Sequence, residues 1–194
     1  MRALTAAALL LAVPTHAVEV AGVNVPATFS SDGATLALNG AGLRVKTVVF
    51  VKAKVYVAAL YLPRKMTDAT AIVALDEPKA VRMVFLRNVD RSSVLGAFRD
   101  GFEANSPAQA PELLPKLKLL EPALPDEIKE GQVLVVAYAP GRGSTVGIEG
   151  GKPAVVAGKE FADALFRNWL GPKPADGGLE DLREALLGQS GGER

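Results

Sequence analysis

The chain has 194 residues, of which 49% are apolar, and its formal net charge at neutral pH is +1. This charge balance excludes the large basic excess on which nucleic-acid binding depends, so no nucleic-acid partner is predicted. The sequence contains no cysteine, which excludes disulfides and thiolate chemistry and leaves stability to the buried core. The length and composition suit one domain with a sizeable core.

Residues 1–17 have the three parts of an export signal. Arg2 gives a positive start, residues 3–13 are small and apolar apart from one threonine, and Thr15 and Ala17 are small residues at the cleavage positions. We predict cleavage after Ala17 and a periplasmic or secreted mature protein. The alternative is a membrane anchor, but the apolar run is much shorter than the roughly 20 residues that a membrane span needs.

Cleavage would remove His16, the only histidine, together with Arg2, one of 22 lysine and arginine residues. The mature chain would then have 21 basic residues against 21 acidic ones, and no histidine to act as a base or a metal ligand. We therefore predict no metal site, no cofactor and no catalytic histidine. The mature sequence has no run of like charge that would indicate binding to an anionic membrane surface, and we predict no transmembrane segment in it.

The first half of the mature chain has short runs of β-branched and aromatic residues, which are typical of strands. The predicted strands are residues 18–25, 35–38, 43–62, 71–75 and 80–86. Residues 76–79, Asp-Glu-Pro-Lys, are typical of a turn between the last two. We therefore expect sheet to dominate this half of the domain.

The period of the apolar residues changes after Asp90. Val94, Phe98 and Phe102 recur every four residues, which predicts one face of a helix that begins at a cap such as Asp90 or Ser92. The later predictions are a short helix in 112–120, a hairpin of 132–138 with 144–148 around the turn residues 140–143 (Pro-Gly-Arg-Gly), and a strand at 154–157. Helices are predicted at 158–170, with an apolar stripe of Phe161, Leu165 and Trp169, and at 179–187. Residues 18–188 are predicted to form the domain, and 189–194 a flexible tail.

One pattern is long and particular. Residues 38–44 read Leu-Asn-Gly-Ala-Gly-Leu-Arg, and residues 51–62 read Val-Lys-Ala-Lys-Val-Tyr-Val-Ala-Ala-Leu-Tyr-Leu. The pattern resembles the chalcone-isomerase-like family, especially its bacterial exported branch, and the resemblance continues through residues 86–102, 138–148 and 168–171. It implies an α+β fold, an open-faced β-sandwich with a long antiparallel sheet and helices packed on one side.

The resemblance also implies a site. In the plant enzymes of the family, an arginine of the Gly-Ala-Gly-x-Arg motif stabilises the anionic oxygen of a chalcone, and Arg44 matches it. The other enzyme positions differ: Tyr56 replaces a threonine, Arg91 and Phe98 replace a tyrosine and an asparagine, and Ala162 replaces a serine or threonine. The fatty-acid-binding branch instead uses an arginine and a tyrosine to hold a ligand carboxylate. The resemblance therefore implies that Arg44 and Tyr56 bind ligand, with no catalytic residue.

Arg44 and Tyr56 can share a ligand only if residues 43–62 fold back on themselves. In one straight strand they would lie roughly 40 Å apart, whereas a hairpin centred near Phe50 makes them direct cross-strand neighbours with Cβ atoms about 5 Å apart. A guanidinium fork and a phenol then offer three donors to two carboxylate oxygens. The alternative is that Arg44 pairs with a carboxylate of the protein itself and that Tyr56 is an ordinary half-buried strand aromatic.

These observations predict an exported, non-catalytic binding protein for a small apolar molecule with an anionic group, such as a fatty acid. Arg44 would neutralise the ligand and Tyr56 would orient it. Two alternatives remain open. One is an isomerase or intramolecular lyase for an enolisable or phenolic substrate, with Arg44 as electrostatic stabiliser and Tyr56 as proton donor. The other is an envelope protein whose sheet contacts another protein, without a small ligand.

Overall fold

A computed structural model describes residues 18–48 and 50–189 of the chain. The predicted signal, residues 1–17, and residues 190–194 of the predicted tail lie outside the described residues. The strands are β1 (Val18–Val20), β2 (Val23–Val25), β3 (Thr28–Ser31), β4 (Ala34–Val48), β5 (Val51–Leu62), β6 (Lys79–Phe85), β7 (Val89–Asp90), β8 (Glu127–Ile128), β9 (Val133–Ala139), β10 (Gly143–Ile148) and β11 (Ala154–Val156). Seven of them form one antiparallel sheet in the order β11-β10-β9-β6-β5-β4-β3.

The helices pack on one face of this sheet, as predicted for the α+β fold. They are α1 (Ala69–Ala74), α2 (Arg91–Asn105), α3 (Ala110–Leu113), α4 (Lys159–Leu170) and α5 (Gly177–Leu186), and a 3-10 helix spans Leu114–Ala123. The predicted stripes of α2 and α4 are confirmed, because Val94, Phe98 and Phe102 of α2 and Phe161, Leu165 and Trp169 of α4 are buried. Within the described residues, no helix is long and apolar enough to cross a membrane.

Both faces of β5 are buried, but in different clusters. Ala58, Leu60 and Leu62 point to the helices and belong to the main core. The alternate residues, Val57, Ala59 and Tyr61, form a smaller cluster on the other face with residues of β2 and β4. This central strand is therefore apolar on both sides, which explains the near-continuous apolar run in its sequence.

The hairpin of β4 and β5 brings Arg44 and Tyr56 together. The two residues are direct cross-strand partners, as the sequence predicted. A register shift follows immediately, so that Val45 pairs with Lys54, and the strands end where Val48 pairs with Val51. Phe50 lies in the turn with φ +68°, a left-handed conformation that non-glycine residues rarely adopt.

Two glycines of β4 make room for the last helix. A Cβ at Gly40 would lie 2.2 Å from the carbonyl oxygen of Ala185, and a Cβ at Gly42 would lie 2.5 Å from the Cβ of the same residue. Helix α5 therefore packs directly on the backbone of β4, a close approach that only residues without a side chain allow. This contact gives the Gly-Ala-Gly motif its structural role.

The prediction of a strand at residues 71–75 is wrong, because this segment forms most of α1 and its C-terminal cap. A five-residue apolar run fits a buried strand or one side of a short helix equally well. The capping residues at its ends therefore determine which of the two forms. Here Asp68 accepts hydrogen bonds from the N–H groups of Thr70 and Ala71, at 2.8 and 3.1 Å. The predicted turn at residues 76–79 therefore joins a helix to a strand, and its last residue, Lys79, already belongs to β6.

Smaller differences concern element ends. The predicted strand 18–25 is a tight hairpin, because Ala21 and Gly22 both have positive φ and form its turn. The predicted strand 35–38 continues through the glycine motif as β4, and the predicted helix in 112–120 is mostly a 3-10 helix that contains prolines.

Candidate functional site

A cavity of about 560 Å³ lies between the helix-facing side of the sheet and helices α2, α4 and α5. This volume is within the range of about 300–1,000 Å³ that is typical of small-molecule sites. Apolar side chains from all these elements form much of the wall, among them Met83, Phe85, Val94, Phe98, Leu134 and Leu179. Arg44 and Tyr56 both line this cavity. Charged side chains such as Arg87, Asp90, Asp100 and Lys173 also line it. The structure thus brings the two predicted site residues together at one cavity with a mixed apolar and polar wall.

Arg44 is already paired with a carboxylate of the protein. Its Nη1 and Nη2 atoms donate to the two oxygens of Asp176, each at 2.7 Å, and Nη1 also donates to the backbone oxygen of Val45. This fork-to-fork geometry is the strong form of an ion pair. It holds the pKa of the Asp176 carboxyl below its usual range, chiefly through the hydrogen bonds from Arg44. The ion pair that sequence analysis left open as an alternative is therefore present.

Asp176 has a second role as the N-terminal cap of α5. Its Oδ1 accepts a hydrogen bond from the N–H group of Leu179 at 3.0 Å. The Arg44 side chain is 11% exposed, whereas the Asp176 side chain is 36% exposed. The arginine is therefore fixed in the wall of the cavity, and its partner lies nearer to solvent.

Tyr56 occupies the neighbouring part of the wall. Its ring packs against Phe85 with 5.6 Å between centroids, and its hydroxyl oxygen accepts a hydrogen bond from Nε1 of Trp169 at 3.2 Å. Burial raises the pKa of Tyr56 above its ordinary value, which outweighs the opposing effects of the Trp169 bond and the Arg44 charge. The phenol therefore keeps its proton at neutral pH, and its O–H group is a donor.

The other positions taken from the plant enzymes are not all at the cavity. Phe98 lines it and meets Trp169 edge to face, with 6.0 Å between centroids. Arg91 lies outside the lining at the start of α2, where it pairs with Asp126 at 2.6 Å. Ala162 is fully buried in the core and also lies outside the lining. The residues that surround Arg44 and Tyr56 in the cavity wall therefore differ from those of the plant enzymes.

Asp176 was not among the predicted site residues. An aspartate before two glycines and an amphipathic segment is a signal for a helix cap, and that role was readable. Its contact with Arg44 joins residues 132 positions apart, which no local pattern reveals. Trp169 lay on a helical stripe typical of a core residue, and only the packing of α4 on the sheet places it beside Tyr56.

A buried lysine lies outside the cavity. Lys79 is fully buried and its Nζ donates to the carbonyl oxygens of Ile72, Val73 and Leu75, at 2.6–2.9 Å, at the end of α1. Burial lowers the pKa of Lys79 to about 7. This residue serves as a cap for the last turn of the helix. Among the described residues, no cluster of three or more histidine, cysteine, aspartate or glutamate side chains is arranged to hold a metal ion.

Comparisons with known proteins bear on the fold and the family of the chain. The structure is similar to the crystal structure of a fatty-acid binding protein from Arabidopsis thaliana, with a TM-score of 0.66 and 18% sequence identity over 86% of this chain and 92% of that one. A search of curated protein sequences finds no match. The sequence profile described as "Chalcone isomerase-like" matches residues 17–188. The chain therefore belongs to the chalcone isomerase-like family.

Proposed function

We propose that this protein is exported and binds a small apolar molecule with an anionic group, such as a fatty acid, in the cavity beside Arg44. The observation that carries the proposal is a guanidinium and a phenol, side by side, in the wall of a cavity of about 560 Å³ that apolar side chains line in large part. An apolar wall favours a hydrocarbon body, and a few convergent polar groups fix its head. The Arabidopsis fatty-acid binding protein with this fold supports the choice of ligand.

The ligand carboxylate reaches Arg44 by replacing Asp176. A buried guanidinium needs a counter-charge, and the exchange of one carboxylate for another preserves it. Asp176 is the more exposed partner, so its carboxylate can return to water when it leaves. Tyr56 then contributes the third donor, because its hydroxyl proton is retained at neutral pH and its oxygen already accepts from Trp169. The empty and loaded forms thus differ in which carboxylate occupies the fork.

The proposed role is binding without catalysis. Of the five positions compared with the plant enzymes, Arg44 alone keeps the enzyme residue. Burial raises the pKa of Tyr56, which makes it a weaker acid for the proton-donor role of the isomerase alternative, and Arg91 lies outside the cavity lining. We expect no cyclisation of chalcones above the solution rate. A saturable turnover that disappears in Arg44→Ala would instead favour the isomerase alternative.

The test is native mass spectrometry of protein purified from its own compartment, followed by a fatty-acid titration of variants. We expect retained lipid in the parent. Arg44→Ala should weaken binding by about thirtyfold or more, because removing one partner of such a pair costs about 2–5 kcal/mol. Arg44→Lys should recover part of the loss, since an ammonium lacks the fork, and Tyr56→Phe should cost less, about 0.5–3 kcal/mol.

The matched control is Arg64→Ala. Arg64 also forms an ion pair, in which its Nη1 atom donates to both carboxylate oxygens of Glu77, but it is exposed and lies outside the cavity lining. This variant should bind fatty acid like the parent. If Arg44→Ala also binds like the parent, or if it unfolds in the thermal scan while Arg44→Lys and Tyr56→Phe bind normally, Arg44 is a structural residue and the proposal fails.

A further inference from the structure

The end of the β4–β5 hairpin projects beyond the rest of the sheet. Neighbouring strands stop early: β3 pairs with β4 only at residues 34–37, and β6 pairs with β5 only at residues 56–61. Residues 45–48 and 51–54 pair with each other, and we call residues 45–48 and 50–54 the ribbon. At about 3.4 Å per residue, its tip extends roughly 15 Å past Arg44.

The tip of the ribbon is apolar and exposed. Phe50 is 98% exposed and Val51 is 67% exposed, which makes them the two most exposed large apolar side chains of residues 18–47 and 50–189. Phe50 also has φ +68°, where glycine, asparagine or aspartate is the usual choice. The sequence thus places a bulky aromatic residue where neither solubility nor backbone conformation favours it. Such a combination points to a contact outside the folded chain.

Positive charge surrounds this apolar tip. Lys46, Lys52 and Lys54 are all exposed and lie within the ribbon. The sequence has no aspartate or glutamate between Asp32 and Asp68, and no salt bridge to these lysines occurs in the described part of the chain. Uncharged residues separate the lysines in the sequence, so they form no run of like charge. The hairpin nevertheless gathers them around one end.

We propose that the ribbon tip docks onto the surface of an anionic lipid bilayer, with Phe50 and Val51 among the acyl chains and the three lysines at the headgroups. A fluid bilayer accepts a narrow apolar tip without a preformed pocket, and its anionic headgroups complement the three lysines. Aromatic residues beside lysines are the composition that suits this boundary. Lys46 and Ala53 also line the cavity, which therefore continues onto the ribbon.

This position has a consequence for ligand exchange. A fatty acid that leaves the bilayer beside the ribbon would enter the cavity at the end where Arg44 lies. That consequence rests on the proposed function, but the docking does not. Docking is measured on the protein with no fatty acid added, so the two proposals fail or succeed separately.

The experiment is flotation of the purified mature protein with vesicles of phosphatidylcholine, with and without phosphatidylglycerol. We expect binding to the anionic vesicles, weaker binding to the neutral ones, and release by salt. Phe50→Gly should lower the partition coefficient by about tenfold or more, because it removes the apolar anchor. Its fold should be as stable as that of the parent, since glycine accepts the positive φ of this turn.

Charge is tested with a triple variant in which Lys46, Lys52 and Lys54 become glutamine. We expect it to lose about fivefold in binding to anionic vesicles for each lysine, and to keep the parent's binding to neutral vesicles. The controls are Leu119→Ser, which removes another exposed apolar side chain, and a variant that replaces the exposed Lys118, Lys152 and Arg99 with glutamine. Leu119→Ser should bind vesicles like the parent. The second control loses three positive charges, as the ribbon variant does, and should lose much less binding to anionic vesicles than that variant.

Two results would overturn the proposal. One is a parent protein that binds neither vesicle. The other is a parent that binds but loses no more affinity in the tip variants than in the controls. If the parent ignores vesicles while Phe50→Gly abolishes a self-association seen in ultracentrifugation, the tip is a protein contact and the lipid assignment is wrong.

Discussion

The substitution Asp176→Asn separates the two roles that the structure gives to Arg44. Asparagine keeps the shape of aspartate and can still accept from the N–H group of Leu179 as a helix cap, but it carries no charge. In the parent, a ligand carboxylate has to displace Asp176 from the guanidinium. In the variant that competitor is neutral. We therefore expect Asp176→Asn to bind fatty acid more tightly than the parent, the opposite of Arg44→Ala.

The size of the gain follows from the exposure of the pair. Exposed ion pairs contribute about 0.2–1 kcal/mol, and hydrogen bonds to buried charged groups contribute about 1.5–3 kcal/mol. With side chains that are 11% and 36% exposed, the Arg44–Asp176 pair lies between these limits, at about 1–2 kcal/mol. This free energy corresponds to roughly five- to thirtyfold tighter binding. Without ligand, the free energy of unfolding of the variant should be lower than that of the parent by a similar amount, because Arg44 is left without its counter-charge.

Displacement of a fluorescent fatty acid measures the affinity, and thermal unfolding with and without ligand measures the stability. A long-chain alcohol is the ligand control, since it fills the cavity without a carboxylate and should bind both proteins equally. Glu77→Gln, in the exposed pair with Arg64, is the variant control and should change neither quantity appreciably. Equal or weaker fatty-acid binding by Asp176→Asn, in a folded protein, would refute the displacement of Asp176.

Three further predictions concern the fold and its processing. Gly40→Ala should destabilise the protein by about 1–3 kcal/mol in urea unfolding, because the new Cβ would lie 2.2 Å from the oxygen of Ala185. Gly96→Ala is the control variant, because a Cβ at this position of helix α2 meets no neighbouring atom. Alanine there should stabilise the protein, so a loss of stability in both variants would contradict the packing argument. The free energy of unfolding should rise between about pH 7 and pH 10, because the pKa of Lys79 is about 7 when folded and about 10.4 when unfolded, so the unfolded chain binds more protons there. Lys79→Met should flatten this rise, and an unchanged slope would show that Lys79 does not titrate as described. N-terminal sequencing of the exported protein should begin at Val18, whereas an intact Met1 would indicate an anchor.

Local pattern in the sequence was enough for several elements. The four-residue spacing of Val94, Phe98 and Phe102 predicted α2, and the apolar stripe around Trp169 predicted α4, because one face of each helix must be buried. The β9–β10 hairpin was readable from its turn residues. The register of Arg44 and Tyr56 was predictable for a different reason. Family resemblance supplied the turn near Phe50, and the two-residue period of strands then fixed which residues face each other.

Other features depended on contacts between distant parts of the chain. Residues 71–75 became a helix because Asp68 and Lys79 satisfy the backbone groups at its two ends, an outcome that the apolar run alone does not favour. Asp176 reaches Arg44 only because the glycines of β4 let α5 lie against the strand. Composition and periodicity thus determined an α+β domain, and the family resemblance marked Arg44 as its candidate ligand-binding cation. Tertiary packing decided that Asp176 is the carboxylate that pairs with Arg44. The two residues are 132 positions apart, and periodic patterns in a sequence reveal only local structure.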